Sequence, residues 1–141
     1  MQQYAMMDVY DIHALDYASA GDASATIKRK LKQLGVDSTV LRRIAVASYE
    51  AELNLIIHSM GGTLTMYLST TEIKLVSKDV GPGIPNIEQA LLEGYSTANE
   101  EARNMGFGAG MGLPNMRRNA DGFAIQSTVG IGTEIQMWFQ I

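Results

Sequence analysis

Hydrophobic residues follow two different patterns along the chain. In the run from Ile44 to His58 they occupy almost every position around a helix, which predicts a helix buried on most of its surface. At 63–79 and at 123–139 they alternate with polar residues, a pattern typical of strands that bury one face. A short turn divides each alternating segment in two, so each segment predicts a hairpin.

The segment before the long helix predicts a strand followed by a shorter helix. Residues 4–13 are most simply an edge strand. Asp22 or Ser24 can cap the helix that follows, and Gly35 ends it. We expect its buried side to carry Ile27, Leu31 and Leu34. The rest of the helix surface carries the basic residues Lys28, Arg29, Lys30 and Lys32. They form either a solvated face or a docking surface for an acidic partner.

The remaining elements complete an α+β architecture. Asp37 or Ser38 can cap the long helix. Two further segments, residues 85–92 and residues 113–119, each predict a short helix. The order strand, two helices, hairpin, helix, loop, helix, hairpin predicts an α+β two-layer sandwich, with helices on one face of a mixed, largely antiparallel sheet. The sequence has no linker or repeat, so we expect a single domain over 1–141.

Composition narrows the class of protein. Apolar residues make up 46% of the 141 residues and charged residues 18%, the profile of a globular domain. A net charge of −4 and a pI near 5.1 argue against nonspecific nucleic-acid binding. The absence of cysteine excludes disulfides, thiol catalysis and cysteine metal clusters. There is neither a signal-peptide pattern nor an apolar run long enough to span a membrane, so we expect a cytoplasmic protein.

Two polar residues lie inside the long apolar helix. Glu50 and Asn54 are four residues apart and so project from one helix face. Burying a carboxylate and an amide is costly unless both find partners. A phosphate-bound metal ion is one such partner, because Mg²⁺ takes oxygen ligands from carboxylates, amides and phosphates. A pair satisfied by capping or internal hydrogen bonds is the alternative that this helix alone leaves open.

Strand parity places two further polar residues on the core-facing side of the sheet. Asp79 shares a strand face with Ile73 and stands directly before Gly81-Pro82-Gly83. Thr133 falls on the inward side of the last strand by the same reasoning. An inward carboxylate beside glycine-rich backbone is typically hydrogen-bonded to a ligand or to a tight loop.

A polar segment at 93–111 precedes the predicted helix at 113–119. Four glycines alternate at its end: Gly106, Gly108, Gly110 and Gly112. Such spacing lets the backbone approach a polyphosphate, and the following helix can offer its N–H groups. The segment lacks the spacing of a P-loop, and no strand precedes it as a dinucleotide-binding fingerprint requires. A flexible surface loop is the alternative that the glycines alone leave open.

In order, these motifs resemble the N, G1, G2 and G3 boxes of the Bergerat-fold ATPases, the superfamily of gyrase, Hsp90, histidine kinases and MutL. The matching motifs are Glu50-x3-Asn54, Asp79-x-Gly81-x-Gly83, Gly108-x-Gly110-x-Gly112-Leu113 and Gly130-x-Gly132-Thr133. A stand-alone domain of this size, with the sequence EAELNLIIHS and a short ATP lid at about 94–111, looks like the bacterial anti-sigma-factor and stress-switch serine kinases.

The resemblance implies a role for each matching residue. Glu50 would be the general base, and Asn54 would bind the Mg²⁺ that bridges the ATP phosphates. Asp79 would accept a hydrogen bond from the adenine amino group, with support from Thr133 through a water. The glycines would lie against the nucleotide, with Gly81 and Gly83 beside the base and Gly108, Gly110 and Gly112 around the phosphates.

Four other residues are weaker candidates. Leu53 stands where anti-sigma relatives often carry a threonine that reaches the phosphates, so phosphate contacts can differ here. Arg117 or Arg118 could contact phosphate, although a cation near a helix C-terminus is the simpler explanation. His58 lies on the same helix face as Glu50 and Asn54. A metal site formed by all three side chains is disfavoured, because an amide oxygen is a poor zinc ligand.

The resemblance implies a serine/threonine protein kinase that uses ATP, releases ADP and requires Mg²⁺. Its substrate would be a STAS-type antagonist protein in a partner-switching module that regulates a sigma factor or stress signalling. The alternative is an anti-sigma factor or switch protein that acts mainly by nucleotide-dependent partner binding. A simple ATPase or a detached histidine-kinase-like domain is the third interpretation. The sequence leaves open whether a sigma factor is bound and whether the protein is a monomer or a homodimer.

Overall fold

The computed structural model describes residues 4–92 and 112–141. Its strands are β1 (Met6–Ile12), β2 (Gly62–Leu68), β3 (Glu72–Asp79), β4 (Gly122–Thr128) and β5 (Gly132–Gln140). Its α-helices are α1 (Asp22–Gln33), α2 (Ser38–His58), α3 (Ile87–Ala90) and α4 (Gly112–Asn119), and a 3₁₀ turn covers Tyr17–Ser19. Within these residues no helix is both long enough and apolar enough to pass through a bilayer. The proposed lid at about 94–111 lies outside the described residues.

The five strands form one sheet in the order β1-β2-β3-β5-β4. Every pairing between the described strands is antiparallel, and β1 is an edge strand as predicted. The prediction of an α+β fold with a largely antiparallel sheet is therefore confirmed. A parallel pair, which a mixed sheet would include, does not occur among the strands described here.

The core lies between one face of the sheet and the helices α1, α2 and α4. The alternating residues of β2, β3 and β5 point into it, because every second side chain of a strand faces the same way. The largest fully buried side chains include Leu64, Met66, Ile73, Leu75, Ile135 and Phe139 from the strands, and Ile27, Ile44, Leu55 and Met116 from the helices. Long helix α2 lies at the centre and packs on both α1 and α4.

Helix α1 differs from its prediction at both ends. Ile27 and Leu31 are buried, but Leu34 is 58% exposed because it is the C-cap residue, where the chain leaves the helix. Gly35 then turns the chain with φ +85°, and Val36 packs against the core in its place. At the other end the N-cap is Gly21, and neither Asp22 nor Ser24 supplies a side-chain cap.

The N-terminus of α2 agrees with its prediction. The side chain of Asp37 accepts a hydrogen bond of 3.0 Å from the backbone N–H of Thr39. This bond satisfies one of the first N–H groups of the helix, which have no partner inside the helix. The helix runs to His58, and Gly61, with φ +101°, carries the chain into β2.

Candidate functional site

The end of β3 and the start of β5 meet at Asp79 and Thr133. Asp79 Oδ1 accepts a hydrogen bond of 2.8 Å from the backbone N–H of Thr133. Burial raises the pKa of Asp79 above its usual range, and this hydrogen bond lowers it in part. An ionised carboxylate has about four acceptor positions. The bond to Thr133 therefore leaves Asp79 able to accept from a ligand as well.

The hydroxyl of Thr133 lies on the same side, as strand parity predicted. Its Oγ1 is 2.8 Å from Ser127 Oγ on the neighbouring strand β4. Ser127 Oγ also accepts a hydrogen bond of 2.7 Å from the backbone N–H of Ile84. Ser127 thus links three segments beside Asp79. Sequence reasoning assigned Ser127 no role.

Close backbone contacts within the protein require glycine at position 83 and leave little room for a side chain at Gly81. A Cβ on Gly83 would lie 2.5 Å from the carbonyl oxygen of Thr128, and its φ of +75° also favours glycine. A Cβ on Gly81 would lie 3.3 Å from Ser59 Cα. The N–H of Gly81 donates to the carbonyl oxygen of Ile131 at 3.0 Å. The β4–β5 turn is therefore held against the segment that begins at Asp79.

A second group of polar residues forms where α2 packs on α4. Glu50 on α2 is half-buried, and burial raises the pKa of its carboxyl group. The interaction with the side chain of Asn115 on α4 lowers this pKa in part. Gly112, the first residue of α4, leaves room for it: a Cβ there would lie 3.3 Å from Glu50 Oε2.

Asn54 is partly buried one helical turn beyond Glu50, so the pair shares a face as predicted. His58 follows one turn further along α2, where burial lowers the pKa of its imidazole. No group of three or more His, Asp or Glu side chains in 4–92 and 112–141 is arranged to hold a metal ion. A metal at Asn54 would therefore need further oxygen ligands from outside these side chains, such as phosphates.

The other candidates fall in different surroundings. Leu53 is buried, and Arg117 and Arg118 are exposed at the end of α4. The guanidinium of Arg118 donates to Asn115 Oδ1 at 3.2 Å. Gly108 and Gly110 lie outside the described residues, whereas Gly112 is described and lies against Glu50.

Glu52 has a structural role that sequence reasoning missed. Only 1% of its surface is exposed, and its carboxylate accepts hydrogen bonds from three backbone N–H groups at the start of α1. Its position within the apolar run from Ile44 to His58 indicates burial, but the sequence does not identify the groups that Glu52 binds. Asn115 was also missed, and no sequence pattern connects it with Glu50.

These features place the chain in a known class of protein. Residues 39–141 match the family model of histidine kinase-, DNA gyrase B- and HSP90-like ATPases. The match covers well over half of the chain, and it includes both polar groups described above. The protein belongs to this family, whose name describes ATPases, and the predicted superfamily is confirmed.

Curated relatives of the chain include a serine/threonine-protein kinase and anti-sigma F factors. The chain is 32% identical over 109 residues to the serine/threonine-protein kinase RsbT of Bacillus subtilis, covering 74% of this chain and 76% of RsbT. It is 31% identical over 121 residues to the anti-sigma F factor of Bacillus licheniformis, covering 82% and 80%. The anti-sigma F factor of a Thermoanaerobacter species is 34% identical over 99 residues, covering 67% and 66%. Both predicted kinds of protein, a serine/threonine kinase and an anti-sigma factor, occur among these relatives.

Proposed function

We propose that the protein is an ATP-dependent serine/threonine kinase of a bacterial partner-switching module. Its substrate would be a serine on a small STAS-type antagonist protein, and the phosphorylation would regulate a sigma factor or stress signalling. The observation that carries the proposal is the half-buried Glu50, which stands one helical turn from Asn54 on the same face of α2. The similarity to a serine/threonine kinase supports the same reaction.

In the proposed reaction Glu50 is the general base. The oxygen of the substrate serine attacks the γ-phosphorus of ATP while its proton passes to the carboxylate of Glu50. The bond between the γ-phosphorus and the bridging oxygen breaks, and ADP leaves with that electron pair. A base with a raised pKa accepts this proton more readily, and burial supplies such a shift at Glu50.

The residues around the two polar groups would hold the nucleotide. Asp79 would accept from the adenine amino group, and Thr133 would support it through a water. Asn54 fits a Mg²⁺ ion because amide oxygen is a hard ligand and phosphates would supply the other oxygens. The ion, when bound, would neutralise charge on the phosphates. Gly81 and Gly83 would lie near the base, and Gly112, with Gly108 and Gly110, near the phosphates.

The second candidate function is that of an anti-sigma factor or switch protein that acts by binding its partner. The anti-sigma F factors among the relatives favour it. On α1, the exposed side chains of Lys28, Arg29 and Lys32 are suited to an acidic partner surface. Both activities can reside in one chain. A cytoplasmic location stays a prediction of the sequence, and the choice between monomer and homodimer stays open.

The first test is calorimetric titration of ATP and ADP, with and without Mg²⁺, into wild type, Asp79→Asn and Asn54→Ala. We expect Asp79→Asn to weaken both nucleotides, because both carry adenine. We expect Asn54→Ala to weaken only the Mg²⁺-dependent part of binding. Folded wild-type protein that binds neither nucleotide at millimolar concentration would overturn the proposed pocket.

The second test separates the two candidate functions. Purified protein is incubated with radiolabelled ATP, Mg²⁺ and STAS-domain proteins, and transfer and complex formation are both measured. Glu50→Ala should abolish transfer and retain partner binding if the protein both phosphorylates and sequesters its partner. Complex formation by wild type without any transfer would favour the binding function alone.

A further inference from the structure

The hydroxyl of Ser127 on β4 lies within hydrogen-bonding distance of three groups. It accepts a hydrogen bond of 2.7 Å from the backbone N–H of Ile84. It can donate to the carbonyl oxygen of Gly132, which lies at 3.3 Å. The hydroxyl of Thr133, the residue that pairs with Ser127 across the two strands, lies at 2.8 Å, and either oxygen can be the donor. The direction of this last bond decides what Thr133 can offer a ligand.

Counting donors and acceptors gives the bond between the two hydroxyls a direction. A hydroxyl has one hydrogen and two lone pairs, and the N–H of Ile84 occupies one lone pair of Ser127. If Thr133 donates to the second lone pair, Ser127 keeps its own hydrogen for Gly132, and both bonds form. If Ser127 donates to Thr133 instead, its only hydrogen is used and the bond to Gly132 is lost. The first arrangement makes one more hydrogen bond among the same protein groups, which favours it.

In this arrangement Thr133 has only acceptor positions left for a ligand. Its hydrogen points to Ser127, so Oγ1 has lone pairs alone to offer. The backbone N–H of Thr133 donates to Asp79 Oδ1 at 2.8 Å, which holds the carboxylate next to the same residue. An ionised carboxylate also can only accept. The two side chains therefore present acceptors where β3 and β5 meet.

We infer that Ser127 is a positioning residue, which fixes the hydroxyl of Thr133 as an acceptor and thereby favours a purine that carries an amino group over one that carries an oxo group at the same ring position. This inference rests on the proposed function, in which the base of the nucleotide lies beside Asp79 and Thr133. A water held between these two acceptors would donate both of its hydrogens to them, so the base must supply a donor with or without that water.

Loss of Ser127 should relax this preference. Without its acceptor at Ser127, the hydroxyl of Thr133 is free to turn and to donate to an oxo group. A site discriminates strongly only while its polar groups would be left unpaired by the wrong ligand. The ratio of the affinities for the two purines is therefore the property that Ser127 controls.

The test is calorimetric titration of ADP and of its oxo analogue, inosine diphosphate (IDP), into wild type, Ser127→Ala and Ser127→Thr. We expect wild type to prefer ADP, and Ser127→Ala to reduce this preference by about three- to tenfold, the effect of one hydrogen bond. Ser127→Thr keeps the hydroxyl and should keep the preference within about twofold. Gln126→Ala is the matched control, because Gln126 is the exposed neighbour on β4, and it should leave the preference unchanged.

The ratio separates positioning from a merely structural role. Ser127→Ala also removes the bond to Ile84, and loosening of that segment would weaken ADP and IDP alike. In the Thr133→Val background no hydroxyl is left to orient, so Ser127→Ala should not change the ratio further. An unchanged ratio in Ser127→Ala alone, or the same change of ratio in both backgrounds, would overturn the inference while the proposed function stands.

The proposed pocket fails separately, if wild type binds neither nucleotide. The direction of the bond is measured without any ligand or variant, by NMR on the wild-type protein. We expect the hydroxyl proton of Thr133 to show a nuclear Overhauser effect to the β-protons of Ser127. If the hydroxyl proton of Ser127 instead shows this effect to the β-proton of Thr133, Ser127 is the donor and the inference is wrong.

Discussion

Ser24 on α1 and Glu52 on α2 are joined by a hydrogen bond of 3.0 Å from the backbone N–H of Ser24 to Glu52 Oε1. Glu52 Oε2 accepts from the N–H groups of Gly21 at 3.1 Å and of Ala23 at 3.2 Å. The first N–H groups of a helix have no partner within it and form the positive end of its dipole. Glu52 thus caps α1 from a neighbouring helix, which explains how a carboxylate with 1% exposure is accommodated.

Replacing Glu52 by alanine should strongly destabilise the protein. The substitution leaves three N–H groups without an acceptor in the interior, and each unsatisfied group costs about 1–3 kcal/mol. We expect a total loss of about 3 kcal/mol or more in the free energy of unfolding, measured by urea denaturation. Asp37→Ala, which removes the exposed cap of α2, is the control and should cost about 1 kcal/mol. Equal losses for the two variants would contradict the assigned role of Glu52.

Glu50→Gln should make the folded protein more stable near neutral pH. Burial raises the pKa of Glu50 above its ordinary value of 4.5, so the ionised form is less favourable in the folded than in the unfolded chain. The stability that wild type has when Glu50 is protonated is therefore lost as the pH rises through the raised pKa. Glutamine stays neutral, so its advantage should be present near neutral pH and should disappear below pH 4.5.

This prediction is measured as the difference in the free energy of unfolding between variant and wild type at neutral and at acidic pH. Asp79 also has a raised pKa, but it is present in both proteins and its effect cancels in the difference. Glu88→Gln is the matched control, because Glu88 is exposed on α3 and its replacement should change stability by less than about 0.5 kcal/mol. A Glu50→Gln advantage that grows as the pH falls would contradict the explanation.

The sequence was sufficient to predict most elements and the direction in which four candidate residues face, because both depend on local periodicity. Strand parity correctly turned Asp79 and Thr133 inward, and helix spacing correctly put Glu50 and Asn54 on one face. Contacts between distant segments have no such periodic signal. The hydrogen bonds from the start of α1 to the carboxylate of Glu52 depend on how two helices pack, so they were not predicted.

Gly83→Ala should be much more damaging than Gly35→Ala. Both glycines have positive φ, +75° and +85°, so alanine is strained at either position, at a cost of about 1–2 kcal/mol. At Gly35 nothing lies within 4 Å of the added Cβ, whereas at Gly83 the carbonyl oxygen of Thr128 lies at 2.5 Å. Gly83→Ala must also displace the β4–β5 turn, so we expect it to lower stability further and to weaken nucleotide binding. Similar unfolding midpoints for the two variants would show that the close approach to Thr128 is unimportant.

Substitutions at Thr133 test whether its hydroxyl supports the nucleotide beside Asp79. Thr133→Val keeps the branched shape of the side chain but removes the hydroxyl, which lies 2.8 Å from Ser127 Oγ. Thr133→Ser keeps the hydroxyl. The backbone N–H that donates to Asp79 remains in both variants. We expect Thr133→Val to weaken ATP and ADP equally, by about tenfold or about 1.4 kcal/mol, because both ligands carry the same base. Thr133→Ser should bind both within about twofold of wild type by calorimetry. If the valine variant is folded and binds both nucleotides like wild type, the hydroxyl of Thr133 serves only the packing of β4 against β5.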